Sequence, residues 1–160
     1  MNSRIFILIL TLASITFMIG CTQKSEIPSF NILLIDSTSI FNTKDIPIGK
    51  ASILIFFSPD CEHCQQETSD ILRKMDSLKS VQFYFVSIDA MDRMRVFNEY
   101  YKINKYPNIT IGRDYTYFFP GYFKDVSPPY SVVYDKYKRM RAVFKGASTA
   151  TQLIALINNM

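Results

Sequence analysis

Cys61 and Cys64 are the residues with the most chemistry to offer. They stand three positions apart, with Glu62 and His63 between them and Asp60 just before. A Cys-x-x-Cys pair at a helix start brings two sulfurs close enough to bridge with little backbone motion. It also sets the first thiol at the positive end of the helix dipole, beside backbone N–H groups that have no helical partner. The thiolate is the nucleophile, so anything that stabilises it raises reactivity at neutral pH. Cys61 is the expected attacker. Cys64, one turn in, is the expected resolving thiol in a thiol–disulfide exchange. A protonated His63 would stabilise the thiolate and push the pair towards oxidising power. Glu62 and Asp60 add negative charge and push the other way, so both directions of electron flow stay open.

Other uses of two cysteines weigh less. A zinc site needs about four ligands. The only other thiol is Cys21, and the only histidine, His63, sits inside the pair. No metal or cofactor is expected. A purely structural disulfide would gain about 2 to 3 kcal/mol from so small a loop; it would suit a binding or assembly module and is kept as the alternative. A peroxide-reducing loop wants a proline seven positions before the attacking cysteine, and Leu54 stands there.

The neighbouring elements are placed to present the pair. Ser52 to Phe57 is a continuous apolar run, the pattern of a strand buried on both faces. Ser58-Pro59-Asp60 breaks it, and the spacing of Ile71, Leu72, Met75 and Leu78 predicts one helix from about Cys61 to Leu78. Val81 to Ile88 predicts the next strand and Asp89 to Ile103 a second helix. Ile109 to Ile111 suits a short strand. Residues 115–123 are aromatic and read as irregular around Pro120-Gly121. Their rings could line a substrate groove, but packing under a loop is the preferred reading. Tyr130 to Tyr134 and Met140 to Phe144 predict a hairpin. Thr149 and Gln152 form a capping box before a final helix. Ahead of all this, Phe30 to Ile35 and Ile40-Phe41 predict an N-terminal hairpin. Strand–helix–strand at the start requires a parallel pair with a right-handed crossover.

The chain has 160 residues, 48% hydrophobic and 20% charged, with net charge +4. That suits one domain after a leader. Arg4, then the apolar run Ile5 to Ile19, then Gly20 and Cys21, reads as a signal peptide, because about fifteen apolar residues fall short of the roughly twenty that span a bilayer. The ending Met18-Ile19-Gly20-Cys21 resembles a bacterial lipobox. That resemblance implies acylation of Cys21 and a membrane anchor. The expected division is a leader over 1–20, lipidated Cys21 with a polar tether over 21–29, and a domain over 30–160. The absence of Asp after Cys21 points, by the same resemblance, to the outer membrane of the envelope. The Asn108-Ile109-Thr110 sequon then reads as chance. Without the leader, 17 basic and 14 acidic side chains remain, and they are too dispersed to argue for a nucleic-acid partner.

Phe56 to Cys64 resembles the active-site stretch of the thioredoxin superfamily. Pro129 to Asp135 resembles that family's proline-then-strand segment, and Gly146-Ala147 also fits. The resemblance covers about residues 30–160. It implies an α/β thioredoxin fold: a central mixed sheet flanked by helices, here with an N-terminal hairpin. It implies a cis Pro128–Pro129 bond facing the cysteines. Its nearest likeness is the membrane-tethered branch of redoxins and cytochrome c maturation thioredoxins, carried by the hairpin and by Cys61-Glu62-His63-Cys64-Gln65-Gln66-Glu67. In that branch the equivalent of Glu67 handles the proton of the buried thiol. The function implied is reduction of disulfides in exported proteins, with electrons from a membrane donor. The chain departs from the pattern at three places. Asp60 replaces a tryptophan, Ile55 stands where thioredoxins bury a carboxylate, and His63 matches the strongly oxidising branch. A disulfide oxidant or isomerase therefore stays open as a second alternative.

Overall fold

A computed structural model describes residues 26–160. The leader over 1–20, Cys21 and the first part of the tether lie outside the described residues. The centre of the fold is β3 (Ser52–Phe56), buried at every position. No residue in it needs water, so it can sit between two strands and under two layers. It pairs in parallel with β4 (Gln82–Ser87), which pairs in parallel with β5 (Ile109–Arg113). On its other side β6 (Tyr130–Tyr134) runs antiparallel, followed by β7 (Met140–Lys145). The expected N-terminal hairpin is β1 (Asn31–Leu34) with β2 (Ile40–Asn42), and β1 closes antiparallel on β5. The result is a seven-stranded mixed sheet in the order β2-β1-β5-β4-β3-β6-β7.

Successive side chains of a strand face opposite ways, so β3 and β4 feed two cores. Ile53, Ile55, Phe83 and Phe85 face α1 (Glu62–Arg73), α3 (Met91–Tyr101) and α5 (Ala150–Asn158). Leu54, Phe56, Tyr84 and Val86 face the hairpin and α4 (Phe118–Phe123). Thr149 caps α5 through the expected reciprocal box with Gln152. Gly112 on β5 permits a close approach of β1: a Cβ there would lie 2.9 Å from Ile32 Cδ1.

Two expectations are corrected. The helix predicted over 61–78 is two, α1 and α2 (Met75–Leu78), because the Lys74 N–H is shared between the Asp70 and Ile71 carbonyls and tightens the turn. Residues 118–123 are helical rather than irregular. Pro120 is tolerated because it lies in the first turn, where an N–H has no helical acceptor. Asp114 Oδ2 supplies one for the Phe119 N–H, at 2.7 Å. The rings pack as preferred: Phe118 stacks on Phe30 and Phe119 on Phe56. Residues at the C-terminal end of the expected tether make contacts with the domain. Glu26 makes an antiparallel bridge with Arg139, and the Pro28 carbonyl accepts from Thr43 Oγ1. Lys136, Lys138, Arg139 and Arg141 gather at the β6–β7 turn. The Asn108 side chain is buried and donates to the Leu78 and Val81 carbonyls, which explains the asparagine of the sequon structurally. Among the described residues no helix is long and apolar enough to cross a membrane.

Candidate active site

The polypeptide leaves β3 at Phe56, and the Phe57 N–H still bonds the Val86 carbonyl at 3.0 Å. Ser58 to Asp60 then turn it into α1. Cys61 caps that helix in extended conformation, and its sulfur accepts from the Cys64 N–H at 3.4 Å. The Cys61 N–H is tied to the Ser58 carbonyl at 3.1 Å, and Gln65 Nε2 fastens the Pro59 carbonyl at 2.8 Å. These bonds fix the loop that carries the first thiol. Across it lies the start of β6, where the Pro128–Pro129 bond is cis. The Cys61 thiol points at the Pro128 carbonyl, 3.7 Å away.

The two thiols live in different surroundings. Cys61 is partly open to solvent, while Cys64 is 1% exposed. Burial pushes the Cys64 thiol far up, and contact with Cys61 and the nearby Glu67 charge add to the shift. A buried group resists ionising because the charged form loses its hydration.

Glu67 follows Cys64 by one turn and is 3% exposed. Its Oε1 accepts from Ser148 Oγ at 2.5 Å, Ser148 N at 3.1 Å and Ser131 Oγ at 3.3 Å. Its Oε2 is buried with no hydrogen-bond partner. Burial raises the Glu67 carboxyl, and the bonds from Ser148 and Ser131 offset only part of that. Glu67 is therefore not a solvated first-turn glutamate. Ser131 pairs across the sheet with Ile55, the strand position where thioredoxins carry their carboxylate. The acidic group here reaches the same neighbourhood from the helix.

Asp60, Glu62 and His63 are exposed around the pair. Glu62 Oε1 accepts from Gln66 Nε2. Asp60 forms an ion pair with Arg93, which also bonds Asp89 Oδ1 at 3.0 Å. Beside them an open cavity of about 400 Å³ is lined by Pro59, Arg93, Val96, Tyr100 and Tyr101. Sequence reasoning missed Arg93, Ser131 and Ser148. Asp89 and Arg93 at helical i, i+4 spacing were the one available signal; nothing local marks the two serines. Cys21 lies outside the described residues. Among those residues no cluster of three His, Cys, Asp or Glu side chains is placed to hold a metal ion.

A thiol pair capping the first helix after a central parallel strand, opposite a cis proline, defines a thioredoxin-type thiol–disulfide oxidoreductase. The chain belongs to the thioredoxin-like domain family, whose model matches residues 47–160. No curated protein sequence matches it. Several solved structures share its fold. One is a secreted Mycobacterium tuberculosis disulfide oxidoreductase homologous to Escherichia coli DsbE. It has 18% identity and a TM-score of 0.69 over 82% of this chain and 96% of that one. Another is StoA from Bacillus subtilis, with 20% identity and a TM-score of 0.60 over 81% and 96%. A third is a thiol:disulfide interchange protein of the thioredoxin family from Chlorobium tepidum, with 19% identity and a TM-score of 0.65 over 84% and 94%.

Proposed function

We propose that this protein reduces disulfides in exported proteins at the bacterial cell envelope, anchored to the membrane by lipid on Cys21. The observation that carries the exchange reading is the buried Cys64, with buried Glu67 one turn on, behind the open Cys61. The Cys61 thiolate attacks one sulfur of a substrate disulfide. That S–S bond breaks, and the other substrate sulfur leaves as a thiolate that takes a proton. Cys64 then gives its proton to Glu67 and attacks Cys61 Sγ. The bond from Cys61 to substrate breaks, the second substrate thiol departs, and a Cys61–Cys64 disulfide remains. Two electrons have passed to the substrate, and a dithiol donor at the membrane restores the pair.

The same reading gives the remaining residues their roles. Pro129 and the Pro128 carbonyl form the wall against which an extended substrate lies. Asp60, Glu62 and His63 tune the thiolate at the rim. The reductive direction is supported by the likeness of the run Cys61 to Glu67 to the membrane-tethered reductant branch. The envelope location is supported by the leader and by the secreted relative from Mycobacterium tuberculosis.

The test is a trap. With Cys64→Ser, Cys61 still attacks but cannot be released, so mixed disulfides accumulate. Non-reducing gels of envelope extracts should show them in that variant and not in Cys61→Ser. If neither variant traps protein and both retain the cellular role, the pair is a structural disulfide and the chain a binding or assembly module.

A further inference from the structure

We infer that the β6–β7 turn is a membrane-facing surface that rests on anionic lipid headgroups and points Cys61 away from the bilayer. The inference rests on the lipid-anchor reading of Cys21 and is argued from where the chain enters the fold. Glu26 is bridged to Arg139 at that turn. Only Thr22 to Ser25 separate it from Cys21. Five peptide steps reach at most about 18 Å. The attached lipid therefore holds the headgroup layer close to this end of the domain. Charges attract such a layer only within roughly a Debye length, about 8 Å at physiological salt, so what stands at the turn matters.

What stands there is basic. Lys136 to Lys145 holds five basic residues and no acidic one. Lys50, Lys136, Arg139 and Arg141 line one open cavity. Lys138 Nζ bonds the Lys44 carbonyl, bringing Lys44 to the same region. The opposing charges are Glu26, Asp45 and Asp135. Asp135 is buried and engaged by Arg139 and Arg141, so it neutralises part of the guanidinium charge but not the lysines. Juxtamembrane lysines and arginines of this kind bind anionic lipid surfaces.

The same register sets the active site at the far end. Ser52 of β3 pairs with Tyr134 at the turn, and Phe56 pairs with Tyr130 at the start of β6. The strand alone separates the two ends by about 13 Å, and Cys61 lies beyond Phe56. A thiol held there meets folded exported proteins rather than lipid.

Lysine footprinting tests this on the mature chain from Cys21, reconstituted in vesicles. In phosphatidylcholine vesicles containing one third phosphatidylglycerol, Lys136 and Lys138 should acetylate at least five-fold more slowly than in pure phosphatidylcholine. Lys145, at the active-site end of β7, should not change. Half-molar salt should remove the protection, and Lys136→Glu with Arg141→Glu should abolish it at Lys138 while disulfide reduction in solution continues unchanged. Equal rates in the two vesicle types, or protection of Lys145 instead, overturns the orientation. The intact mass of the same preparation separates the two ideas: an unacylated Cys21 overturns the anchor, whereas an acylated Cys21 with no footprint overturns only the basic face.

Discussion

At the scale of single residues, the proposed reaction turns on Glu67. Its carboxyl is buried, raised, and bonded through one oxygen while the other has no partner. Glu67→Gln keeps the size and removes the base. Release of a trapped substrate by Cys64 should slow by about a hundredfold or more, the lower side of what a positioned proton acceptor contributes. Attack by Cys61 should be unaffected; stopped-flow separation of the two steps checks this. Linkage gives a second readout. A carboxyl whose folded value lies above its unfolded value favours the fold while it is protonated. That contribution is complete below the unfolded value, 4.5, and is lost as pH rises through the folded one. Wild type should therefore lose stability from Glu67 as pH rises above 4.5, and Glu67→Gln should lose less over the same range in urea titrations. Glu67 was legible because it follows Cys64 by three positions in a recognisable run. Ser131 and Ser148 were not, since they meet Glu67 from separate elements at sequence separations of 64 and 81. Arg93 was likewise hidden, because its contact with Asp60 depends on how α3 crosses the start of α1.

At the scale of elements, the sheet is held tight where β1 meets β5. Gly112→Ala would drive a methyl group against Ile32 and should cost about 1 to 3 kcal/mol. Pairing it with Ile32→Val should recover part of that loss, and chemical denaturation of the three variants gives the comparison. β3 was readable from its unbroken apolar run, and the hairpin and capping box from turn chemistry. The split at Lys74 was not, because Ile71, Met75 and Leu78 keep one helical period across it. Phe118–Phe123 was missed for a different reason: Pro120 and Gly121 argue against a helix locally, while Asp114 and the packing on Phe30 and Phe56 decide for it.

For the whole molecule, the proposed anchor would enter the fold at Glu26, bridged to Arg139, while Cys61 follows Phe56 at the other end of β3. Cys21→Ser should move the protein from the membrane fraction to the soluble fraction while leaving thiol exchange intact; fractionation followed by an insulin-reduction assay reads both. The alternation of strands and helices from residue 30 made the fold class legible before any geometry. The docking of Glu26 on Arg139 was invisible, because a short polar stretch has no pattern that distinguishes packed from free. The direction of electron flow is not legible in the sequence, since Glu62 and Asp60 pull in one sense and His63 in the other. The most direct measurement is the reduction potential of the Cys61–Cys64 pair, taken by equilibrating the mature chain in thiol buffers and trapping the free thiols. The proposed reductive role predicts a value near about −270 mV or lower, that of a reductant. A value approaching about −120 mV would contradict it, because the pair would then be an oxidant tuned by His63.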